Sequence, residues 1–196
     1  MINLTRRQED ILIGTLLGDS CLEVNGLNVR LKVDHNPNQK QLTEWIFQEF
    51  KEFCLKGPYS LDQFDSRTKK FYHHYRFSTL SKPVFNNFYS IFYSKRRKIV
   101  PKDIKRLLVN PLSLAVWYMD DGFRRRDCKS LYLCTSAYTD KEHLLLLEVL
   151  KMNFNIDAKV HFAAGNARIY IPASSAKQFC NLVKDYVLED LSYKLL

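Results

Sequence analysis

The sequence predicts an α+β chain in which one unit of helices and antiparallel strands is written twice. Three observations carry that prediction. Two apolar stretches, LIGTLLGDS (12–20) and LAVWYMDDG (114–122), read as helices and close on an acid, Asp19 and Asp121, 102 residues apart. The elements that follow each stretch run in a similar order of hairpin, strand and helix signals. No Gly/Ser-rich tract interrupts the join near 98–110, so 1–98 and 99–196 stand as two halves with a short, ordered connection.

The first element is a helix beginning near Thr5, with Thr5 or Asp10 as its start signal and Ile11, Leu12, Leu16 and Leu17 at helical spacing. It closes at Gly18-Asp19. CLEVNGLNVRLKVDH alternates apolar and polar residues around Asn25-Gly26, a strong hairpin signal. The ribbon carries Glu23, Asn28, Arg30 and Lys32. QKQLTEWIFQEFKEFC returns to helical spacing, and YHHYRFSTL reads as a strand with His73 and His74 on opposite faces, which spoils them as a joint metal site. DSRTKK (65–70) reads as a loop or hairpin tip, and KPVFNNFYSIFYSKRRK as one helix with a core aromatic face closing on a basic run. The first half is then α-β-β-α-β-α or a close variant. In the second half the order is a helix PLSLAVWYMDD, a strand SLYLCTSAY, a long helix TDKEHLLLLEVLKMNF, a hairpin AKVHFAAGNARIYIPA and a helix SAKQFCNLVKDYV.

Composition narrows the partners. At 196 residues and 46% hydrophobic the chain can bury a core, and 30 Lys+Arg against 21 Asp+Glu give a net charge of +9, a field that attracts polyanions. Nucleic acid is the first partner this charge points to. Five cysteines, with none in a C-x-x-C pair or near a histidine at zinc-ligand spacing, fit a reducing, intracellular compartment. With no apolar signal core at the start and no run of eighteen apolar residues, neither secretion nor a membrane span is expected.

Asp19, Asp120 and Asp121 sit where acids are least welcome, because a helix C-terminus carries the negative end of the macrodipole. A bound cation offsets that cost. Gly14 and Gly18 in one helix and Ala115 in the other allow close backbone packing, which brings carboxylates together. Clustered carboxylates repel unless a cation neutralises them, and hard Mg²⁺ suits oxygen ligands. Each half also ends on a lysine in similar surroundings, Lys98 in SKRRKIVP and Lys194 in DLSYKLL. Beside a metal at a phosphodiester, such lysines offset developing negative charge or orient water. Lys98 also closes the basic run KRRK, which reads equally as a solvated or phosphate-contacting stretch.

These residues together resemble the two signature helices of the LAGLIDADG homing endonucleases, closest to the single-chain, intron-encoded branch whose second copy reads with an aromatic pair and MDDG. The resemblance spans nearly the whole chain and includes the KIVP and YKLL segments. It implies two pseudo-symmetric α-β-β-α-β-β-α units whose saddle-shaped antiparallel sheets lie in the DNA major groove. It also implies that Asp19 and Asp121 are the metal-binding catalytic acids, and that Lys98 and Lys194 are active-site bases or charge stabilisers. The chain departs from the pattern where Ser20 replaces the closing glycine and Gly18 precedes the first acid, so only the second motif offers an extra carboxylate, Asp120. Gly18 and Asp120 join the metal-site set on this reading, with unequal metal sites. Asp120 is either a group behind the ligands or a helix-end bystander.

Ribbon and loop residues supply the DNA-contact candidates: Asn28, Arg30, Lys32, Lys69 and Lys70 in the first half, and Arg124, Arg125, Arg126, His161 and Arg168 in the second. A two-stranded ribbon fits the major groove, where Arg reads guanine and Asn reads adenine. The expected function is a monomeric site-specific endonuclease that uses Mg²⁺, with Mn²⁺ as substitute, to cut both strands of a long asymmetric duplex site. The resemblance implies short 3′ overhangs. The rival is a binding protein on the same fold, either an RNA-splicing maturase acting on intron RNA or a DNA-binding protein that has lost cleavage; a bifunctional endonuclease-maturase is a further reading.

Overall fold

The computed structural model describes residues 3–163 and 166–196; the part of the expected hairpin AKVHFAAGNARIYIPA at 164–165 lies outside the described residues. Two compact units result. One is Asp19–Ile91 with the chain up to Gln8, and the other is Glu9–Gly18 with Phe92–Leu196. Helix α1 (Arg6–Leu17) therefore gives its first turn to the first unit and its body to the second. Thr5 and Gln8 cap it reciprocally: the Gln8 amide donates to Thr5 Oγ1 at 3.2 Å, and the Thr5 amide to Gln8 Oε1 at 2.9 Å. Of the two start signals, Thr5 is the one used. Asp10 is buried one turn inside the helix.

In the first unit, β1 (Cys21–Asn25) and β2 (Asn28–His35) form the expected hairpin, with Asn25 opposite Asn28 and a two-residue turn at Gly26-Leu27. The turn is thus one residue later than Asn25-Gly26. Gly26 takes the positive φ of 68° that the first turn position demands. After α2 (Lys40–Phe50) comes β3 (Tyr59–Asp65), a strand the sequence reading omitted, paired along its whole length with β4 (Lys70–Ser78). YSLDQFD was missed because it is exposed on both faces, so burial imposes no alternation on it. With it the first unit runs β1-β2-β4-β3, all antiparallel. Along β2, Val29, Leu31, Val33 and His35 are buried while Asn28, Arg30, Lys32 and Asp34 face outward. The buried face packs against α2, where Phe47 meets Phe77 edge-on at 5.5 Å.

The next helix is shorter than expected. α3 (Asn86–Phe92) stops before the basic run, and SKRR turns instead into a ribbon of β5 (Tyr93–Ser94) and β6 (Arg97–Lys98). Lys95 and Arg96, the two turn residues, hold φ of 49° and 65°, the left-handed pair of a type I′ turn, without the Asn or Gly that usually occupies it.

In the second unit a short helix α4 (Ile104–Leu107) precedes α5 (Pro111–Asp121). The Asn110 side chain caps α5 by accepting from Leu112 N at 3.0 Å, and donates to Asp10 of α1 at 2.7 Å. Leu112 through Asp120 are all buried, so α5 is a core helix on every side. α1 and α5 approach closely: a Cβ added to Gly14 would overlap the Ser113 carbonyl and stand 2.7 Å from Val116 Cβ. The sheet runs β7 (Gly122–Arg124), β8 (Leu131–Cys134), β10 (Asn166–Ile171), β9 (Lys159–Ala163), again antiparallel in the order β7-β8-β10-β9. α6 (Asp140–Phe154) opens on a full capping box, Thr139 with Glu142, and closes on Asn155 in the left-handed conformation. α7 (Ala173–Val183) packs on α5, with Phe179 edge-on to Tyr118 at 4.9 Å. A final 3₁₀ turn, Glu189–Lys194, leads to the end of the described chain. No described helix is long and apolar enough to cross a membrane.

Candidate metal and nucleic-acid site

Each of the two helices that precede the motif acids ends under a lysine. Lys98 Nζ donates to the Gly18 carbonyl, the last before Asp19. Lys194 Nζ donates to the Met119 carbonyl at 2.5 Å and to the Asp120 carbonyl at 3.4 Å, the last before Asp121. The matching partners resolve the electrostatic conflict read from the sequence: an ammonium ion satisfies the open carbonyls and offsets the negative pole where each acid sits. Lys194 is 8% exposed, so the C-terminal segment is docked rather than frayed. Tyr118 Oη secures the same segment by donating to the Lys194 carbonyl at 2.6 Å. The strained Lys95-Arg96 turn is what reverses the chain so that Lys98 reaches back to Gly18.

Asp120 is buried and fills the space that Gly18 leaves; a Cβ on Gly18 would lie 2.8 Å from Asp120 Cβ. Glycine at position 18 is thus required by the neighbouring carboxylate, which ties the first motif's departure from the family pattern to the extra acid in the second. Tyr138 Oη donates to the Leu17 carbonyl at 2.9 Å. Burial, reinforced by the charges of Asp121 and Glu142, pushes the Tyr138 phenol far above its ordinary value, so it remains a donor at any physiological pH. Asp121 is half-buried, and Asp19 is exposed.

In the first unit, Asp19 opens onto a cleft of about 500 Å³ lined also by Lys32, Asp34, His35, Gln39 and Tyr72. A ring nitrogen of His35 lies within 4.8 Å of an Asp19 carboxylate oxygen. The outward sheet face beside it is a web of charge. Arg30 pairs with Glu23 at 2.8 Å, and Lys32 with Glu23 at 3.3 Å. Asp34 takes Arg76 at 3.2 Å and His74 at 2.9 Å. Partial burial works against the Glu23 charge, yet Arg30 and Lys32 hold its carboxyl below the usual range. Of the expected contact residues, Arg30 and Lys32 stand on this face; Asn28 accepts at its Oδ1 from Asn86 at 3.1 Å. Lys69 and Lys70 are exposed at the β3–β4 turn. His74, considered from sequence only as half of a rejected metal pair, and Arg76, not singled out there, share the face through the pairing of β4 with β3 and β2.

The outward face of the second sheet is aromatic instead. Phe123 stacks on Tyr132 at 5.3 Å, and His161 stacks on Tyr170 at 4.1 Å. Arg168 lies over Phe123 at 5.6 Å, and Arg125 over Tyr132 at 5.9 Å while also pairing with Asp127. Arg126 is exposed. Arg124 alternates to the opposite face, where Nη1 donates to the Leu195 carbonyl at 3.1 Å. The aromatic residues of this face were legible only as strand formers, because their grouping comes from the register of four strands.

Two acid-ended helices with a lysine on each, and a four-stranded antiparallel sheet in each unit, define a duplicated α+β protein of the LAGLIDADG class. The family model for the LAGLIDADG DNA endonuclease family matches residues 9–179, and the chain belongs to that family. A probable intron-encoded endonuclease 1 from Wickerhamomyces canadensis is 28% identical over 98% of this chain and 85% of its own length. The DNA endonuclease I-ChuI from Chlamydomonas applanata is 28% identical over 99% of this chain and 96% of its own. The solved structure of the homing endonuclease I-WcaI bound to its DNA recognition sequence superposes with a TM-score of 0.91 and 28% identity, covering 100% of this chain and 88% of that one.

Proposed function

We propose that this chain is a monomeric, site-specific DNA endonuclease that cuts both strands of a long asymmetric duplex, using a divalent ion at Asp19 and at Asp121. The observation that carries the reading is the repeated helix end: an acid, preceded by a carbonyl that a distant lysine binds, occurs once after α1 and once at the foot of α5. The donors suit a divalent cation, with an exposed carboxylate and a nearby imidazole at Asp19, and a half-buried carboxylate following buried Asp120 at Asp121. Mg²⁺ is the cellular ion on this reading, Mn²⁺ replaces it, and when bound it activates water and stabilises the leaving oxygen.

The chain's own residues do the rest. Lys98 and Lys194 hold each helix end in place and put positive charge beside each acid. Tyr138 fixes the last turn of α1. The two outward sheet faces contact DNA with different chemistry, one charged and one aromatic with arginine, which fits an asymmetric target read by unlike halves. A single chain carrying two unlike units needs no symmetric partner, which supports the monomer.

The test is cleavage of supercoiled plasmids carrying candidate insertion-site duplexes, with Mg²⁺, with Mn²⁺ and with Ca²⁺. The wild-type chain linearises one plasmid in Mg²⁺ and Mn²⁺, and Asp19→Asn or Asp121→Asn gives nicked circles or no product. Tight binding in all three ions without any cut overturns the reading and leaves a DNA- or RNA-binding protein on this fold.

A further inference from the structure

Beyond the motif helices, at an offset of 100 residues rather than their 102, the duplication reaches a buried pair that neither the family match nor the proposed mechanism uses. At the end of β2, His35 Nδ1 bonds Thr43 Oγ1 of α2 at 2.8 Å. One hundred residues later the partners are exchanged: Thr135, just after β8, bonds Nε2 of His143 in α6 at 2.9 Å. His143 is held at both nitrogens, since Nδ1 also bonds the Thr139 carbonyl at 3.0 Å, and its ring is a strut between strand and helix. His35 is placed differently. It carries the imidazole on the strand end itself, within 4.8 Å of Asp19.

Thr43 Oγ1 also stands 3.4 Å from the Gln39 carbonyl; a hydroxyl that donates there accepts from His35 Nδ1–H, the tautomer in which the ring lone pair is on Nε2. An imidazole whose Nδ1 is bonded to an oxygen behind it is the arrangement that metal-binding histidines use. The ring is 3% exposed and cannot turn away, whereas the Asp19 carboxylate is exposed and can swing the fraction of an ångström that ligation by both groups requires.

We propose that His35 Nε2 is a ligand of the divalent ion carried by Asp19, making the first-unit site a nitrogen-and-oxygen site. The inference deepens the endonuclease reading and rests on it only for the ion's role in cutting. In the second unit the equivalent strand-end residue is Thr135, already bound to His143, so the ion at Asp121 has no imidazole from that position. The two sites then differ in metal preference: imidazole raises affinity for Mn²⁺ and Co²⁺ relative to Mg²⁺, and an oxygen-only site does not.

Titration of the full-length protein with Mn²⁺, read by pulsed electron paramagnetic resonance, tests this without any cleavage. The expected result is a ¹⁴N coupling from a directly bound imidazole in the wild type, retained in the His73→Asn/His74→Asn double variant and lost in His35→Gln. Mn²⁺ affinity falls at least about 10-fold in His35→Gln and in Thr43→Val, the range seen when a metal-bound histidine or its supporting partner is removed. Thr43→Val keeps His35 and reads the same loss should His35→Gln fail to fold. Mn²⁺ bound with no ¹⁴N coupling, or a coupling that His35→Gln and Thr43→Val both leave unchanged, overturns the proposal. A chain that cuts DNA without the nitrogen signature separates failure of this inference from failure of the endonuclease reading. The signature without cutting separates the reverse.

Discussion

Gly18 shows how one residue's size fixes a charged site. Its missing side chain is the room that the Asp120 carboxylate occupies, and both are buried. A methyl group added at Gly18 has to push the Asp120 backbone or expel its carboxyl group. Gly18→Ala is therefore expected to destabilise the chain by about 1–3 kcal/mol, the usual cost of overpacking, and to reduce cutting, both read by denaturant unfolding and plasmid cleavage. Unchanged stability would mean that α1 and α5 can part without cost. Lys194 is the second such residue, buried on two carbonyls although only Leu195 and Leu196 follow it in the sequence. Its type and place in YKLL were legible in the sequence. Its partners were not, because Met119 and Asp120 are more than seventy residues away and no local spacing points to them.

Among the elements, the β5–β6 ribbon is the clearest case of tertiary demand overriding local preference. Helical spacing continues through FNNFYSIFY and predicts one long helix, but the chain leaves it at Phe92 and reverses through two left-handed residues that are neither Asn nor Gly. Each such residue costs of order 1 kcal/mol, and the return on that cost is the placement of Lys98 on Gly18. Replacing the turn by Lys95→Asn with Arg96→Gly is expected to raise stability by about 1 kcal/mol while leaving the Lys98 contact in place. A thermal melt checks the first expectation, and cleavage in Mg²⁺ the second. A drop in stability would show that the basic side chains themselves hold the turn. β3 teaches the complementary lesson: a strand exposed on both faces leaves no alternation to read, and only its pairing with β4 reveals it.

At the scale of the whole molecule, thirty basic residues and a net charge of +9 set a sequence-independent attraction for DNA. Affinity for duplex DNA is expected to fall by roughly 10³-fold or more between about 50 and 200 mM salt, the behaviour of a protein neutralising several phosphates, and filter binding over that range measures it. A flat response would place the basic residues in internal pairs, as Arg30, Lys32 and Arg76 are on the first sheet. The sequence by itself determined the duplication, the two acid-ended helices, the two terminal lysines and the basic balance, because these are carried by residue type and by spacing within or between similar segments. The equivalence of His35 with Thr135 and of Thr43 with His143 was not legible there, because the motif offset of 102 aligns His35 with Ala137 and Thr43 with Leu145, and only the strand pairing shifts it to 100. Only the tertiary structure decided which carbonyls the lysines bind, why Gly18 must face Asp120, and which side chains share an outward face. Those facts depend on strand register and on helix contacts between residues far apart in the chain, and a contact of that kind leaves no periodic trace in the order of the amino acids.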